Sequence, residues 1–136
     1  MTSIGLSTVD QKKHVSMVNG AGAEIQAGAV VVLKADAAGN VITTTTTNGS
    51  NKVFGVLTES VADLLSARVL VEGKTTILLV ANGTSSIAIG DYLSTYSHAY
   101  YAKKAVAGDM VFAIALAAPT TSTAAINALL VTPRLI

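Results

Sequence analysis

The sequence predicts an all-β protein, mainly an antiparallel barrel or sandwich built from two related β-units, with one short helix and an extended N-terminal arm. Residues Ala27 to Leu33 (AGAVVVL) form a glycine turn followed by a β-branched run, which favours an extended strand on a packed surface. About sixty residues later, Ile89 to Leu93 (IGDYL) has the same order of parts. Val53 to Leu57 follows the first copy as Val111 to Leu116 follows the second. Such self-similarity indicates duplicated structural units.

The composition predicts a single domain that associates with copies of itself. A chain of 136 residues has the length of one domain, which we place at residues 14–136 behind an arm at residues 1–13. The chain is 51% hydrophobic and only 12% charged, about half the charged share of an average domain. Obligate subunit interfaces resemble a domain core cut in two and would hide this apolar excess. We therefore expect a homo-oligomer.

The N-terminal arm, Met1 to Lys13, is polar and too sparsely apolar to fold by itself. Ile4, Leu6 and Val9 alternate loosely with Ser and Thr. The arm is either a frayed terminus or a segment that adds a strand to the sheet edge of a neighbour. In the second case these three residues form part of an interface with another subunit or a larger partner.

From His14 onward, glycine-containing dipeptides divide the chain at the spacing of short antiparallel strands. These dipeptides are Asn19-Gly20, Gly39-Asn40, Asn48-Gly49, Glu72-Gly73 and Asn82-Gly83. Between them the sequence predicts strands at Val30–Leu33, Val41–Thr46, Val53–Thr58, Arg68–Val71, Thr75–Val80, Tyr101–Val106, Val111–Leu116 and Ala128–Thr132.

One segment, Ser60 to Arg68, is predicted to form the short helix. Ser60 can cap the first turn, Asp63 completes the spacing of a capping box, and the apolar residues recur at helical intervals. A helix this short needs a sheet to pack against. The segment Ala117 to Ala125 is expected to be irregular, since Pro119 and a Thr/Ser cluster favour turns.

No residue pattern of catalysis or of cofactor binding occurs in the sequence, so we expect neither an enzyme nor a cofactor. The chain has no cysteine, and its two histidines, His14 and His98, lie in no metal-binding motif. Ser94, Ser97 and His98 are close in sequence, but no nucleophile elbow is present.

The charge and the apolar runs predict no nucleic-acid and no membrane partner. The net charge is +1, and the basic residues are scattered along the chain. The longest apolar run, Met110 to Ala118, is far shorter than the ~20 residues of a membrane helix.

All four tyrosines fall within ten residues, at Tyr92, Tyr96, Tyr100 and Tyr101. Tyrosine combines a large apolar area with a polar tip and is enriched at protein interfaces. The rings either pack over a sheet edge of their own domain or form a contact patch with another subunit or a larger partner.

The glycine and apolar spacings from Gly20 to the C-terminus resemble those of the capsid cement, or head decoration, proteins of tailed bacteriophages. The segments that carry the resemblance are Ala27–Leu33, Asp36–Val41, Phe54–Leu57, Val69–Gly73, Ile89–Leu93 and Val111–Leu116. The sequence departs from the pattern at Tyr92 to Tyr101, where a small polar turn is expected.

The resemblance implies a structural virion protein, made in the host cytoplasm and located on the outer capsid surface. Such a protein binds the major capsid protein as a trimer and stabilises the expanded shell. Terminal arms in this family settle onto the capsid or a neighbouring subunit, which would give Met1 to Lys13 a role. The alternative is a carbohydrate-binding or adhesion β module, for which the tyrosine cluster is the only support.

Overall fold

A computed structural model describes residues 12–35, 39–81 and 86–136, with the side chains of residues 76 and 77 excepted. Every named element of this part of the chain is a strand, and it holds no helix that is long and apolar enough to cross a membrane. The strands are β1 (Lys13–Asn19), β2 (Val30–Leu33), β3 (Val41–Thr43), β4 (Val53–Leu57), β5 (Ser66–Ala81), β6 (Tyr92–Thr95), β7 (Ala102–Lys104), β8 (Met110–Ala115) and β9 (Thr123–Leu135).

The nine strands form one hydrogen-bonded sheet that closes on itself twice. The order β1-β3-β2-β4-β5 closes into a first barrel because β1 also pairs with β5, and β5-β7-β6-β8-β9 closes into a second barrel because β5 also pairs with β9. In each barrel one pair is parallel, β1–β3 and β5–β7, and the other pairs are antiparallel. The all-β class and the two related units are confirmed.

Strand β5 belongs to both barrels. Its residues 66–72 pair with β1, and its residues 73–81 pair with β9. The predicted turn at Glu72-Gly73 is therefore wrong, and the two predicted strands around it are one strand of 16 residues. Gly73 lies at the crossing with a φ of 110°, a backbone conformation that glycine adopts without strain.

The duplication extends to individual hydrogen bonds. In the first barrel the N–H of Gly28 donates to the carbonyl of Leu57 at 2.7 Å, and in the second the N–H of Gly90 donates to the carbonyl of Ala115 at 2.8 Å. Both glycines have a positive φ, 87° and 92°, and each precedes the second strand of its barrel. The two glycine turns aligned in the sequence are thus structurally equivalent.

The valine run of β2 is buried because the two barrels cover its opposite faces. One set of side chains points into the core of the first barrel and includes Val31, Leu57 and Val69. The alternate set packs with the core of the second barrel and includes Val30, Val56 and Leu70. The chain at the start of β2 is also hydrogen-bonded to the second barrel, to β5 and to the turn that precedes β7. There Leu79 N–H donates to the carbonyl of Gly28 at 2.9 Å and Val30 N–H donates to the carbonyl of Tyr100 at 3.1 Å.

The predicted helix at Ser60–Arg68 is wrong. Its two capping groups serve the neighbouring loop instead of a helical turn, since Ser60 Oγ accepts from the N–H of Ala27 and Asp63 Oδ1 from the N–H of Gly22, each at 3.0 Å. The segment runs from an isolated bridge through a turn into β5, which begins at Ser66. Long-range hydrogen bonds thus override a local helical pattern.

The predicted turn at Asn19-Gly20 differs in the structure, and two other predicted segments lie outside the described residues. Asn19 and Gly20 do not close a tight hairpin, since a ten-residue loop follows β1 and the Asn19 side chain donates to the carbonyl of Val61 at 2.9 Å. Asn82-Gly83 lies outside the described residues. So does the arm up to residue 11, with Ile4, Leu6 and Val9, whereas Lys13 is the first residue of β1.

Gly55 and Ala113 occupy equivalent positions in β4 and β8 and provide a matched test of the packing between strands. A Cβ on Gly55 would collide with the Leu70 carbonyl and lie 2.8 Å from Val69 Cγ1. We expect Gly55→Ala to lower the free energy of unfolding by about 2 kcal/mol or more. The reverse change, Ala113→Gly, should cost only about 1 kcal/mol. Urea denaturation of both variants measures the difference, and equal costs would contradict the assigned register.

Candidate interaction surfaces

The four tyrosines separate into two groups. Tyr92 begins β6 with 39% of its surface exposed, and the Arg134 guanidinium lies 5.2 Å from the centre of its ring. This distance is that of a cation–π contact. The other three tyrosines lie in or beside the turn that joins β6 to β7. The four tyrosines of the sequence cluster therefore lie in two places in the fold.

Tyr92 belongs to an apolar row that crosses the outside of the second barrel. In the sheet register Tyr92 lies opposite Ile114, and Ile114 lies opposite Leu129. Tyr92 and Leu129 are exposed and Ile114 is half-buried, whereas the residues that alternate with them point inward and are buried. We call Tyr92, Ile114 and Leu129 the outer row.

The outer row has a covered counterpart in the first barrel. In the first barrel Val30 lies opposite Val56, and Val56 lies opposite Leu70. These three residues have the same register as the outer row of the second barrel. Those three residues are at most 1% exposed, because the second barrel packs on them. The same surface is thus buried in one barrel and exposed in the other.

Basic side chains flank the outer row. Lys74 lies opposite Leu129 in the register of β5 and β9, and Arg134 lies over Tyr92. Among the described residues, neither cation forms an ion pair with a carboxylate. The row is therefore an apolar stripe with positive charge beside it.

The turn between β6 and β7 forms a second, aromatic surface. The rings of Tyr96 and His98 stack with centroids 5.1 Å apart and 24° between their planes. Together with Tyr101 they line a hollow of about 240 Å³, whose other described walls are Ala81, Ser122 and Thr123. Tyr100 differs from them, because it packs against the core of the first barrel with a positive φ of 81°. Tyr100 therefore contributes to the packing of the first barrel.

A charged cluster at Asp109 supports this end of the second barrel. Asp109 Oδ2 accepts hydrogen bonds from Lys103 Nζ at 2.6 Å, from Val106 N–H at 2.9 Å and from Ser94 Oγ at 3.0 Å. Burial alone would raise the pKa of the Asp109 carboxyl, but these donors and the Lys103 charge outweigh it and hold the pKa below the ordinary 3.8. Because Ser94 donates to this carboxylate, its hydroxyl serves the cluster.

Thr95, next to Ser94 of the cluster, fastens a loop of the first barrel to the second barrel. Thr95 accepts from the N–H of Gly49 with its carbonyl at 3.0 Å and from the N–H of Ser50 with its hydroxyl at 2.7 Å. A side chain on Gly49 would collide with the Asp109 carboxylate, and the φ of Gly49 is 60°. The predicted turn at Asn48-Gly49 is present and is held by contacts across the two barrels.

The two histidines lie apart from any assembled metal site in the described part of the chain. Partial burial, with the nearby charges of Arg68 and Lys12, lowers the pKa of His14 below 6.5 and favours its neutral form. His98 stacks on Tyr96. The described residues contain no group of three side chains that could hold a metal ion.

Ile114 and Leu129 were not predicted from the sequence, because apolar positions in a strand look like core positions. Arg134 was not predicted either, since its contact with Tyr92 depends on the fold. The alignment of the two units contained a signal, because Tyr92 stands where the first unit has Val30. A large amphipathic ring in place of a buried valine indicates that the position is exposed in the second unit.

Comparison with known proteins finds a likeness in fold. No protein-family model matches the chain, and no curated protein sequence matches it. The architecture is that of a double β-barrel whose two barrels share β5. The crystal structure of the head fiber gp8.5 N base of bacteriophage phi29 is similar with a TM-score of 0.58 at 15% identity, over 91% of this chain and 99% of that chain. The chain therefore shares the fold of that base.

Removal of the Asp109 charge tests the cluster that supports this end of the second barrel. We expect Asp109→Asn to lower the free energy of unfolding by about 2 kcal/mol, because Lys103 loses its partner in a partly buried site. The matched control is Asp91→Asn, whose longer ion pair with Lys104 (3.4 Å) is more exposed and should contribute less than about 0.5 kcal/mol. Equal losses in urea denaturation would show that the cluster does not stabilise the fold.

The lowered pKa of Asp109 also predicts a pH dependence. The folded pKa lies below the unfolded value of 3.8, so the stabilisation is complete above 3.8 and is lost as the pH falls through the folded pKa. The difference in unfolding free energy between the wild-type protein and Asp109→Asn should therefore shrink between neutral pH and about pH 2. A difference that stays constant over this range would refute the assignment.

Proposed function

We propose that this chain is a structural protein of a phage head, which binds the outer surface of the capsid as a trimer and stabilises the expanded shell. Its partner is the major capsid protein, and its site of action is the virion. The observation that carries the proposal is the shared fold with the phi29 head fiber base, over nearly the whole of both chains. The glycine and apolar spacings of the sequence resemble the same class of protein.

The surface of the molecule suits such a role. Exposed apolar side chains lie on several faces of the described structure, among them Leu64, Leu65, Ile89 and Leu129. Each contact that covers them contributes about 25 cal/mol per Å² of apolar area removed from water. Three linked subunits bind a shell more tightly than one, since the second and third contacts are intramolecular. A modest footprint for each subunit is then sufficient.

Two features are proposed capsid contacts. The first is the N-terminal arm with Ile4, Leu6 and Val9, which can add a strand to a sheet edge of the shell or of a neighbour. The second is the aromatic hollow with Tyr96 and Tyr101. Tyr100 is half-buried and packs against the core of the first barrel, so it is not part of this hollow.

The carbohydrate-binding alternative finds little support in the aromatic hollow. Sugar-binding sites combine an aromatic face with polar side chains that hold the hydroxyl groups, among them carboxylates and amides. The described wall of the hollow offers the hydroxyls of Ser122 and Thr123, but no carboxylate or amide side chain. A single function is therefore proposed.

Binding to shells tests the proposal. Purified protein is mixed with expanded capsids of the encoding phage that lack it, and the bound fraction is measured by co-sedimentation. We expect saturable binding and a higher temperature of capsid disruption. A variant that carries both Tyr96→Ser and Tyr101→Ser should bind less and yet remain folded, since both half-buried side chains line the open hollow and neither belongs to a buried core cluster.

The matched control for this assay is Thr123→Ser, which changes the wall of the same hollow without removing an aromatic ring. This variant should bind like the wild-type protein. Wild-type protein that never binds the expanded capsids, at any concentration, would refute the proposed function.

A further inference from the structure

We propose that the outer row of one protomer is the docking surface for the Leu64–Leu65 turn of a second copy of this chain. This inference rests on the trimer of the proposed function and names the contact between its subunits. The Leu64–Leu65 turn lies at the end of the first barrel, and the outer row lies on the second barrel. Both surfaces are exposed in the single chain, so the contact forms between copies.

The Leu64–Leu65 turn is an apolar knob with a fixed shape. Leu64 is 74% exposed and Leu65 is 58% exposed. Leu64 has a φ of 66°, which is unfavourable for a leucine, and hydrogen bonds to Asn19 hold it there. The N–H of Leu64 donates to the Asn19 carbonyl at 2.8 Å, and the Leu65 carbonyl accepts from the Asn19 N–H at 3.0 Å. Strain and exposed apolar surface at one position indicate a functional contact.

Negative charge surrounds this knob. The turn belongs to the loop of residues 58–65, which lies beside the loop of residues 20–29 through paired hydrogen bonds between Ile25 and Val61 at 2.9 and 3.0 Å. The two loops contain three carboxylates, Glu24, Glu59 and Asp63, and neither contains a lysine or an arginine. The Lys34 ammonium donates to the carbonyl of Gly20 in the second loop at 2.7 Å, so three carboxylates and one lysine lie around the knob. The knob is therefore apolar at its tip and has a net negative charge around it.

The outer row has the opposite charge. Its apolar stripe lies beside Lys74 and Arg134, whereas the nearby Lys104 is already paired with Asp91 at 3.4 Å. An apolar knob with acidic neighbours and an apolar stripe with basic neighbours are complementary in both polarity and charge. This complementarity selects a second copy of the chain as the partner.

The duplication supports the choice of partner. Inside one chain, the equivalent row of Val30, Val56 and Leu70 in the first barrel is covered by the second barrel. The outer row has no such cover within the described part of the chain, since Tyr92 and Leu129 are exposed. A second copy supplies this cover.

The contact joins two different surfaces, so each protomer offers one of each. Contacts of this kind close into a ring when the rotation between neighbours is a simple fraction of a full turn. Three copies in such a ring would make the proposed trimer, with one knob and one outer row buried at every interface.

The first test removes the apolar tip and keeps the fold. Leu64→Asn suits the left-handed backbone, because asparagine tolerates a positive φ. The matched control is Ile89→Asn, at a side chain that is 71% exposed and lies outside both surfaces. In light scattering of the full chain we expect a trimer for the wild type and for Ile89→Asn, and an at least tenfold weaker association for Leu64→Asn.

The second test reverses the charges. Lys74→Glu combined with Arg134→Glu, and separately Glu24→Lys combined with Glu59→Lys, should each weaken association at least tenfold. A chain with all four changes has both signs reversed at every interface and should associate like the wild type. If the four-fold variant fails to recover, or if Leu64→Asn associates like the wild type, the proposed contact is refuted.

The co-sedimentation assay separates this inference from the proposed function. If the Leu64→Asn variant forms trimers as the wild type does, and the protein binds capsids, the contact is refuted and the proposed function is not. Trimers that dissociate as expected but never bind capsids support the contact and refute the function. A wild-type protein that is monomeric at every concentration refutes both the contact and the trimer.

Discussion

The fold depends on one strand that serves two barrels. Strand β5 closes the first barrel against β1 and the second against β9, and it bends from one to the other at Gly73. The start of β2 is hydrogen-bonded into the second barrel, and the apolar core continues from Val30 and Leu70 into it. The relative position of the barrels is therefore fixed by main-chain hydrogen bonds as well as by packing, which places the knob and the outer row on a rigid body.

Duplication explains why one apolar face of the molecule is buried while its counterpart is exposed. Two copies of one unit share the same strand pairings, but only the first has its outer face covered. Valine and leucine suit that covered face, whereas the second unit has Tyr92, with its ring beneath Arg134, at the equivalent position. An aromatic ring tolerates both water and a protein partner. The second unit thus leaves exposed the same face that is covered in the first unit.

The sequence predicted the repeated glycine turns and most strands because these depend on local backbone preference. It failed at Ser60 and Asp63, whose capping groups bind amides distant in sequence, and at Gly73, where a glycine continues a strand. The positions of the four tyrosines in space depend on the conformation of the β6–β7 turn and on the sheet. Their sequence spacing therefore could not predict that Tyr92 lies apart from the other three. Ile114 and Leu129 were hidden among core-like residues, and only the register between strands exposes them.

Because the two barrels share β5, we expect them to unfold as one cooperative unit. The chain has no tryptophan and all four tyrosines lie at positions 92–101, so tyrosine fluorescence reports on the second barrel and its junction. Far-ultraviolet circular dichroism reports on both barrels. Urea unfolding followed by both signals should give coincident transitions, the mark of a two-state process. Two separate transitions would contradict the account, because they would show that one barrel survives the loss of the other.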